Sequence, residues 1–161
     1  MRQRMKVGRS GVRVVVDTNV WVSAALSPNG HCAPLLASLR TNAFTAVVCP
    51  QMQRELSVVL NRPRLVSKYG LSGFTISSIM ALLQSRAEST PDPLIVPISR
   101  DPRDDIFIAV ARAAHADVLV TRDDDLKRDP DVVRALRDGG TQVTSVREFR
   151  ELLLRLSSDR P

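Results

Sequence analysis

The sequence predicts an α/β domain of three layers, with helices on both faces of a mostly parallel central sheet. Three observations predict it. Short runs rich in Val, Leu and Ile alternate with helix-like stretches along the whole chain. These runs are apolar at nearly every position rather than every second one, as strands covered on both faces require. A chain of 161 residues, 43% of them hydrophobic, can build one domain with a real core.

Taken in order, Val12–Val16 reads as the first buried strand. His31–Asn42 reads as a helix, with Pro34 in the first turn, where a missing amide is tolerated. Phe44–Cys49 is a second strand. The helix in "PQMQRELSVVLNRP" opens at Pro50 and stops before Pro63, whose ring disfavours a helical residue ahead of it. Ser72–Glu88 carries Ile76, Ile79, Met80 and Leu83 at helical spacing. A loop with Pro91 and Pro93 leads to a short strand, "LIVPI".

In "RDPRDDIFIAVARAAHA", Asp101 reads as an N-cap, Pro102 as the first helical residue and Asp104 as the capping-box acid. The helix body is apolar almost all round apart from Arg112, which predicts deep burial. "DVLVT" is a strand. Asp129 and Pro130 start a short helix that ends at Gly139–Gly140. "TQVTSV" is the last strand, and Ser145 with Glu148 forms a capping box for "REFRELLLRL".

Bulk properties narrow the function. A net charge of +6 favours a polyanionic partner, most often nucleic acid. Aromatic residues at 4% argue against base-stacking platforms. Cys32 and Cys49 form no metal spacing and read as buried thiols of a reducing cytoplasm, which makes a cytoplasmic location the expectation. No apolar run approaches membrane-spanning length, and the basic start lacks the apolar stretch of a signal peptide, so no membrane partner is expected. Residues 1–11 read as a flexible basic leader, 12–156 as the domain and 157–161 as a tail.

Ligands of parallel α/β sheets bind outside the carboxyl ends of the strands. Polar residues just after strands are therefore the candidates, and here they are mostly aspartates. Asp17 follows the first strand, and Asp123 follows "DVLVT". Either alone is accounted for as a helix cap. Glu55 lies inside a helix, at the edge of the stripe of Met52, Leu56, Val59 and Leu60. Alone it suits a surface acid whose stem covers apolar neighbours. Asp104 and Asp105 start the buried helix, where the macrodipole favours carboxylates. They differ by about 100° on the helix wheel. Asp104 has the capping box available, so Asp105 is the better candidate to face the sheet edge. Asp125 is a further acid that could face the same pocket.

Four carboxylates in one cleft raise one another's pKa values. Oxygen donors without a His or Cys partner point to Mg²⁺ or Mn²⁺. Such a cage in a basic protein suits a phosphodiester substrate. Arg62, Arg64, Lys68, Arg122 and Lys127 could track an RNA backbone, although such residues also simply solvate surfaces.

The motifs "VVVDTNVW", "QRELSVVL", "RDDIFIAVA" and "VLVTRDDDL", in that order over about Val12 to Phe149, resemble the PIN-domain family of metal-dependent ribonucleases. The segment "VLNRPRLVSKYGLS" is similar to a large subgroup of toxin components. The resemblance implies that Asp17, Glu55, Asp105 and Asp123 are metal-binding catalytic acids, and that Asn19 and Thr121 line the pocket. It also implies Mg²⁺ or Mn²⁺ dependence, RNA cleavage, homodimers and an antitoxin partner. The alternatives are a catalytically silent RNA- or protein-binding module, or an RNA-processing nuclease that is not a toxin. A haloacid-dehalogenase-type phosphatase needs an acid where Asn19 stands, and a dinucleotide-binding fold needs a Gly-rich loop that is absent after the first strand.

Overall fold

The computed structural model describes residues 11–159, so the expected basic leader lies outside the described residues except for Gly11. Five short strands form one sheet: β1 (Arg13–Val16), β2 (Thr45–Val48), β3 (Glu88–Ser89), β4 (Val118–Val120) and β5 (Gln142–Thr144). Their order is β3-β2-β1-β4-β5, and every described pairing is parallel. Parallel neighbours need crossover connections, and helices supply them. These are α1 (Thr18–Leu26), α2 (Pro34–Arg40), α3 (Pro50–Leu60), α4 (Pro63–Tyr69) and α5 (Gly73–Arg86) in the first half. A 3₁₀ turn (Pro102–Asp104), α6 (Asp105–Ala113), α7 (Asp124–Arg128), α8 (Pro130–Asp138) and α9 (Val146–Ser158) follow.

Side chains alternate across a strand, so β1 feeds two cores. Val14 and Val16 pack on one face with residues of α1, α2, α3, α5 and α9. Val15 packs on the other with Ile106, Val110, Val132 and Leu136 of α6 and α8. Phe44 and Phe149 close the first core edge-to-face, with ring centres 5.2 Å apart. The expected three layers are therefore present. The capping box at Ser145 and Glu148 is also present: the Glu148 amide donates to Ser145 Oγ at 3.1 Å.

Three local expectations are corrected. "LIVPI" is not a strand: Leu94 and Val96 are 89% and 50% exposed, and the place beside β2 is taken by Glu88–Ser89. Pro91, Pro93 and Pro97 leave that stretch short of the amide donors a ladder needs. Helices α1, α4 and α7 appear where none is read from the sequence. α1 buries residues on every side and so shows no amphipathic stripe, while α4 and α7 are 7 and 5 residues long, too short for a periodic signal. Asp104 makes no capping box. Asp101 instead caps the 3₁₀ turn through the Arg103 amide at 3.0 Å, and α6 begins only at Asp105.

The chain runs from β1 outward to β2 and β3, then returns to build β4 and β5 on the other side of β1. The direction of winding therefore reverses between β1 and β4, where a crevice opens at the carboxyl ends. The Asp17 amide donates to the Val120 carbonyl at 2.9 Å across this junction. Among the described residues, no helix is long and apolar enough to cross a membrane.

Candidate active site

β1 delivers Asp17 to the crevice. Its carboxylate is buried, with Oδ1 accepting from the Asn19 amide at 2.9 Å and Oδ2 from the Thr121 hydroxyl at 2.9 Å. Burial pushes its pKa up. The Asn19 and Thr121 hydrogen bonds oppose that, the charge of Asp123 adds to it, and Arg122 opposes it again. Thr121, fully buried at the end of β4, also accepts from the Asp123 amide at 3.0 Å. One hydroxyl thus ties the loop after β1 to the loop after β4. Asp123 caps α7 by accepting from the Asp125 amide at 2.8 Å. Asn19 contributes through its backbone; the residue itself is exposed.

Glu55 is half-buried on α3, beside the buried Met52 and Leu56. Its pKa is raised, first by burial and then by the charge of Asp17, against the pull of Arg103 and Arg62. Asp104 is half-buried and lines a shallow cleft of about 130 Å³ with Ser99, Asp101, Asp123, Asp125 and Asp129. Burial pushes its carboxyl up to about 7, helped by the charges of Asp17, Asp101 and Asp123 and by a hydrogen bond to Asp123 that favours its protonated form.

Asp105 is placed differently. It is 2% exposed, and its Oδ1 accepts from the Ile98 amide at 3.0 Å, the Ser99 amide at 2.8 Å and the Ser99 hydroxyl at 2.8 Å. It holds the incoming chain against the start of α6, while Asp104 faces the cleft. The sequence argument favours the opposite assignment because it gives Asp104 a capping job. The 3₁₀ turn before α6 removes that job and turns the adjacent acids in different directions. Asp101 and Arg103, which the sequence reading leaves out of the site, belong to the same turn. Their signal is the cluster "DPRDD", in which more acids precede one helix than one N-terminus can use as caps.

The basic candidates divide. Arg122 donates to Ser23 Oγ on α1, and its charge reaches Asp17. Arg62 acts on Glu55. Lys127 is paired with Asp124 at 2.8 Å. Arg64 and Lys68 lie on the exposed surface of α4, with Lys68 Nζ 5.3 Å from the centre of the Tyr69 ring. His31 and His115 are exposed, and neither lines the cleft. Cys32 and Cys49 are buried free thiols.

Among the described residues, no three Asp, Glu, His or Cys side chains converge closely enough to hold a metal ion as they stand. The donor chemistry nevertheless fits a hard divalent cation. Asp17, Glu55 and Asp104 are oxygen donors, and the charge of Asp17 reaches both Glu55 and Asp104 and raises their carboxyls beyond what burial does; a cation would offset that repulsion.

Comparison with known proteins identifies the family. Residues 13–125 match the PIN domain family, a span that begins at β1 and includes Asp17, Glu55, Asp104, Asp105 and Asp123. The chain is also similar to an uncharacterized protein of Methanocaldococcus jannaschii, 26% identical over 148 residues that cover 91% of this chain and 94% of that protein. No solved structure matches it.

Proposed function

The chain belongs to the PIN-domain family, and on that premise we propose that it is a metal-dependent endoribonuclease that hydrolyses RNA phosphodiesters. Asp17, Glu55, Asp104 and Asp123 would hold Mg²⁺ or Mn²⁺, with Asp125 at the rim. The observation that carries the reading is the group of carboxyls at the point where the sheet winding reverses: burial raises Asp17, Glu55 and Asp104, and the charge of Asp17 adds to that at the other two. The net charge of +6 suits a polyanionic substrate brought to a bound cation.

When bound, the cation supplies Lewis acidity and a more acidic water. The chain's own residues supply orientation and ligation. Thr121 fixes the Asp17 carboxylate through one oxygen, leaving lone pairs for ligation. Asp104, whose carboxyl is raised to about 7 without a cation, would give up its proton on ligating one, so cation binding is expected to strengthen as pH rises through about 7. Asp105 sets the turn that presents Asp104 and is assigned positioning rather than ligation.

The test uses purified full chain and labelled single-stranded RNA with Mg²⁺ or Mn²⁺. Cleavage should disappear with EDTA and in Asp17→Asn while the circular dichroism spectrum stays the same. Undiminished cleavage in either condition contradicts the mechanism. We further propose that the chain is the toxin of a toxin–antitoxin pair, dimeric and cytoplasmic. Expression should then arrest growth, and the product of an adjacent gene should relieve it. A second reading, a catalytically silent RNA- or protein-binding module, draws on the acids' failure to converge as they stand. RNA binding without cleavage at any divalent cation concentration would favour it.

A further inference from the structure

A polyanion entering an acidic cleft needs fixed cations beside it, and two arginines stand on different layers of the fold. Arg103 sits on the 3₁₀ turn that leads into α6, with its side chain 85% exposed. Its Nε and Nη2 bond Asp101 Oδ1 and Oδ2 at 3.1 and 2.7 Å, so a carboxylate lining the cleft holds its guanidinium. Its charge reaches Glu55 and Asp104. Arg122 follows β4, is held by Ser23 of α1, and reaches Asp17. α6 packs on one face of the sheet and α1 on the other. Arg103 is thus anchored ahead of α6 and Arg122 against α1, and each acts on acids of the cleft.

Resting on the ribonuclease reading, we propose that single-stranded RNA crosses the cleft from the α1 layer to the α6 layer, its backbone phosphates bound by Arg122 on one side of the acids and by Arg103 on the other. Each guanidinium is already held by an acceptor, so it loses little rotamer freedom on binding. The planar fork suits phosphate oxygens. This arrangement runs the strand across the layers rather than along the sheet edge.

The experiment measures binding of a fluorescent single-stranded RNA to the full chain in EDTA as a function of salt, with Mn²⁺-dependent cleavage followed in parallel. Arg103→Gln and Arg122→Gln should each reduce the slope of log affinity against log salt by about 0.7, the loss of one phosphate contact. At about 50 mM salt that corresponds to roughly eightfold weaker binding. Arg103→Lys should restore the slope. Arg147→Gln, at an exposed position of α9 and paired with Glu151, should change nothing. Arginine variants indistinguishable from Arg147→Gln, or a wild type that binds no RNA, overturn the inference. A wild type that binds with the two-arginine salt dependence but never cuts supports the inference and contradicts the catalytic reading. Cutting with unmoved slopes overturns the inference alone.

Discussion

At the amino end of the sheet, Arg13 reaches three neighbours. Its guanidinium bonds both oxygens of Glu88 on β3 and the carbonyl of Ala114 after α6, and its amide donates to Asp117 at 2.8 Å. Acid and base there answer one another and join three segments. At the carboxyl end the same residue types are arranged otherwise. Burial and the charge of Asp17 raise the carboxyls of Glu55 and Asp104, and the nearby Arg103 stays on the rim. Stability alone would select the first arrangement at both ends. Like charges gathered in a half-buried crevice oppose folding, which is why we propose that the carboxyl end takes a cation and then a phosphate.

The largest predicted effect breaks the carboxyl end. Asp17→Asn should lower cleavage by more than about a hundredfold, since even residues that only support metal ligands are worth 10–100-fold. Its midpoint of thermal unfolding should stay near wild type, because the amide oxygen can still cap α1. A variant that unfolds early would mean that Asp17 serves the fold instead.

Next comes the contrast between neighbours. Asp105→Ala should destabilise the chain by about 3 kcal/mol in urea unfolding, because the Ile98 and Ser99 amides lose their acceptor. Asp104→Ala should leave stability equal or higher while removing cleavage. Equal destabilisation by both substitutions would erase the distinction between ligand and positioning residue.

A smaller effect follows from protonation. Asp104 is raised to about 7 in the folded chain, against about 3.9 when unfolded. Between those values the folded state binds more protons. Its contribution to stability is therefore fully present below about pH 4 and lost as pH rises through about 7. Without divalent cations the thermal midpoint should fall between about pH 5 and 8, and Asp104→Asn should flatten that fall. An unchanged slope in the variant would place the titration elsewhere.

The smallest effect lies at the amino end. Arg13→Ala should reduce stability by about 1 kcal/mol, in keeping with a partly exposed ion pair and one backbone acceptor, and should leave cleavage per folded molecule unchanged. A loss of cleavage there would join the two ends that the account keeps apart.

The fold was legible where burial writes a pattern. Continuous apolar runs marked β1, β2 and β4, and the Ser145–Glu148 capping box marked α9. β3 was not legible, because Glu88 and Ser89 carry no strand signal and owe their pairing to the neighbouring β2. "LIVPI" misleads because side-chain preference there is overruled by three prolines and an occupied sheet edge. In the site, Asp17 and Asp123 could be placed from strand ends, and Glu55 from the border of an apolar stripe. Between Asp104 and Asp105 the sequence favours Asp105, whereas the cleft is lined by Asp104. Adjacent residues differ only by the phase of the helix, and the 3₁₀ turn ahead of α6 shifts that phase in a way no side-chain pattern announces.

On the proposed reading, the carboxyl end is a cation site in which the charge of Asp17 weighs on Glu55 and Asp104 until a cation offsets it. The most direct measurement is the thermal midpoint of wild type, Asp104→Asn and Asp105→Asn titrated with Mn²⁺ at about pH 7.5, just above the raised Asp104 carboxyl. Mn²⁺ should raise the wild-type midpoint saturably. The shift should be largely lost in Asp104→Asn and retained, from a lower starting midpoint, in Asp105→Asn. A wild-type midpoint that ignores Mn²⁺, or a shift that survives in Asp104→Asn and vanishes in Asp105→Asn, would contradict the account.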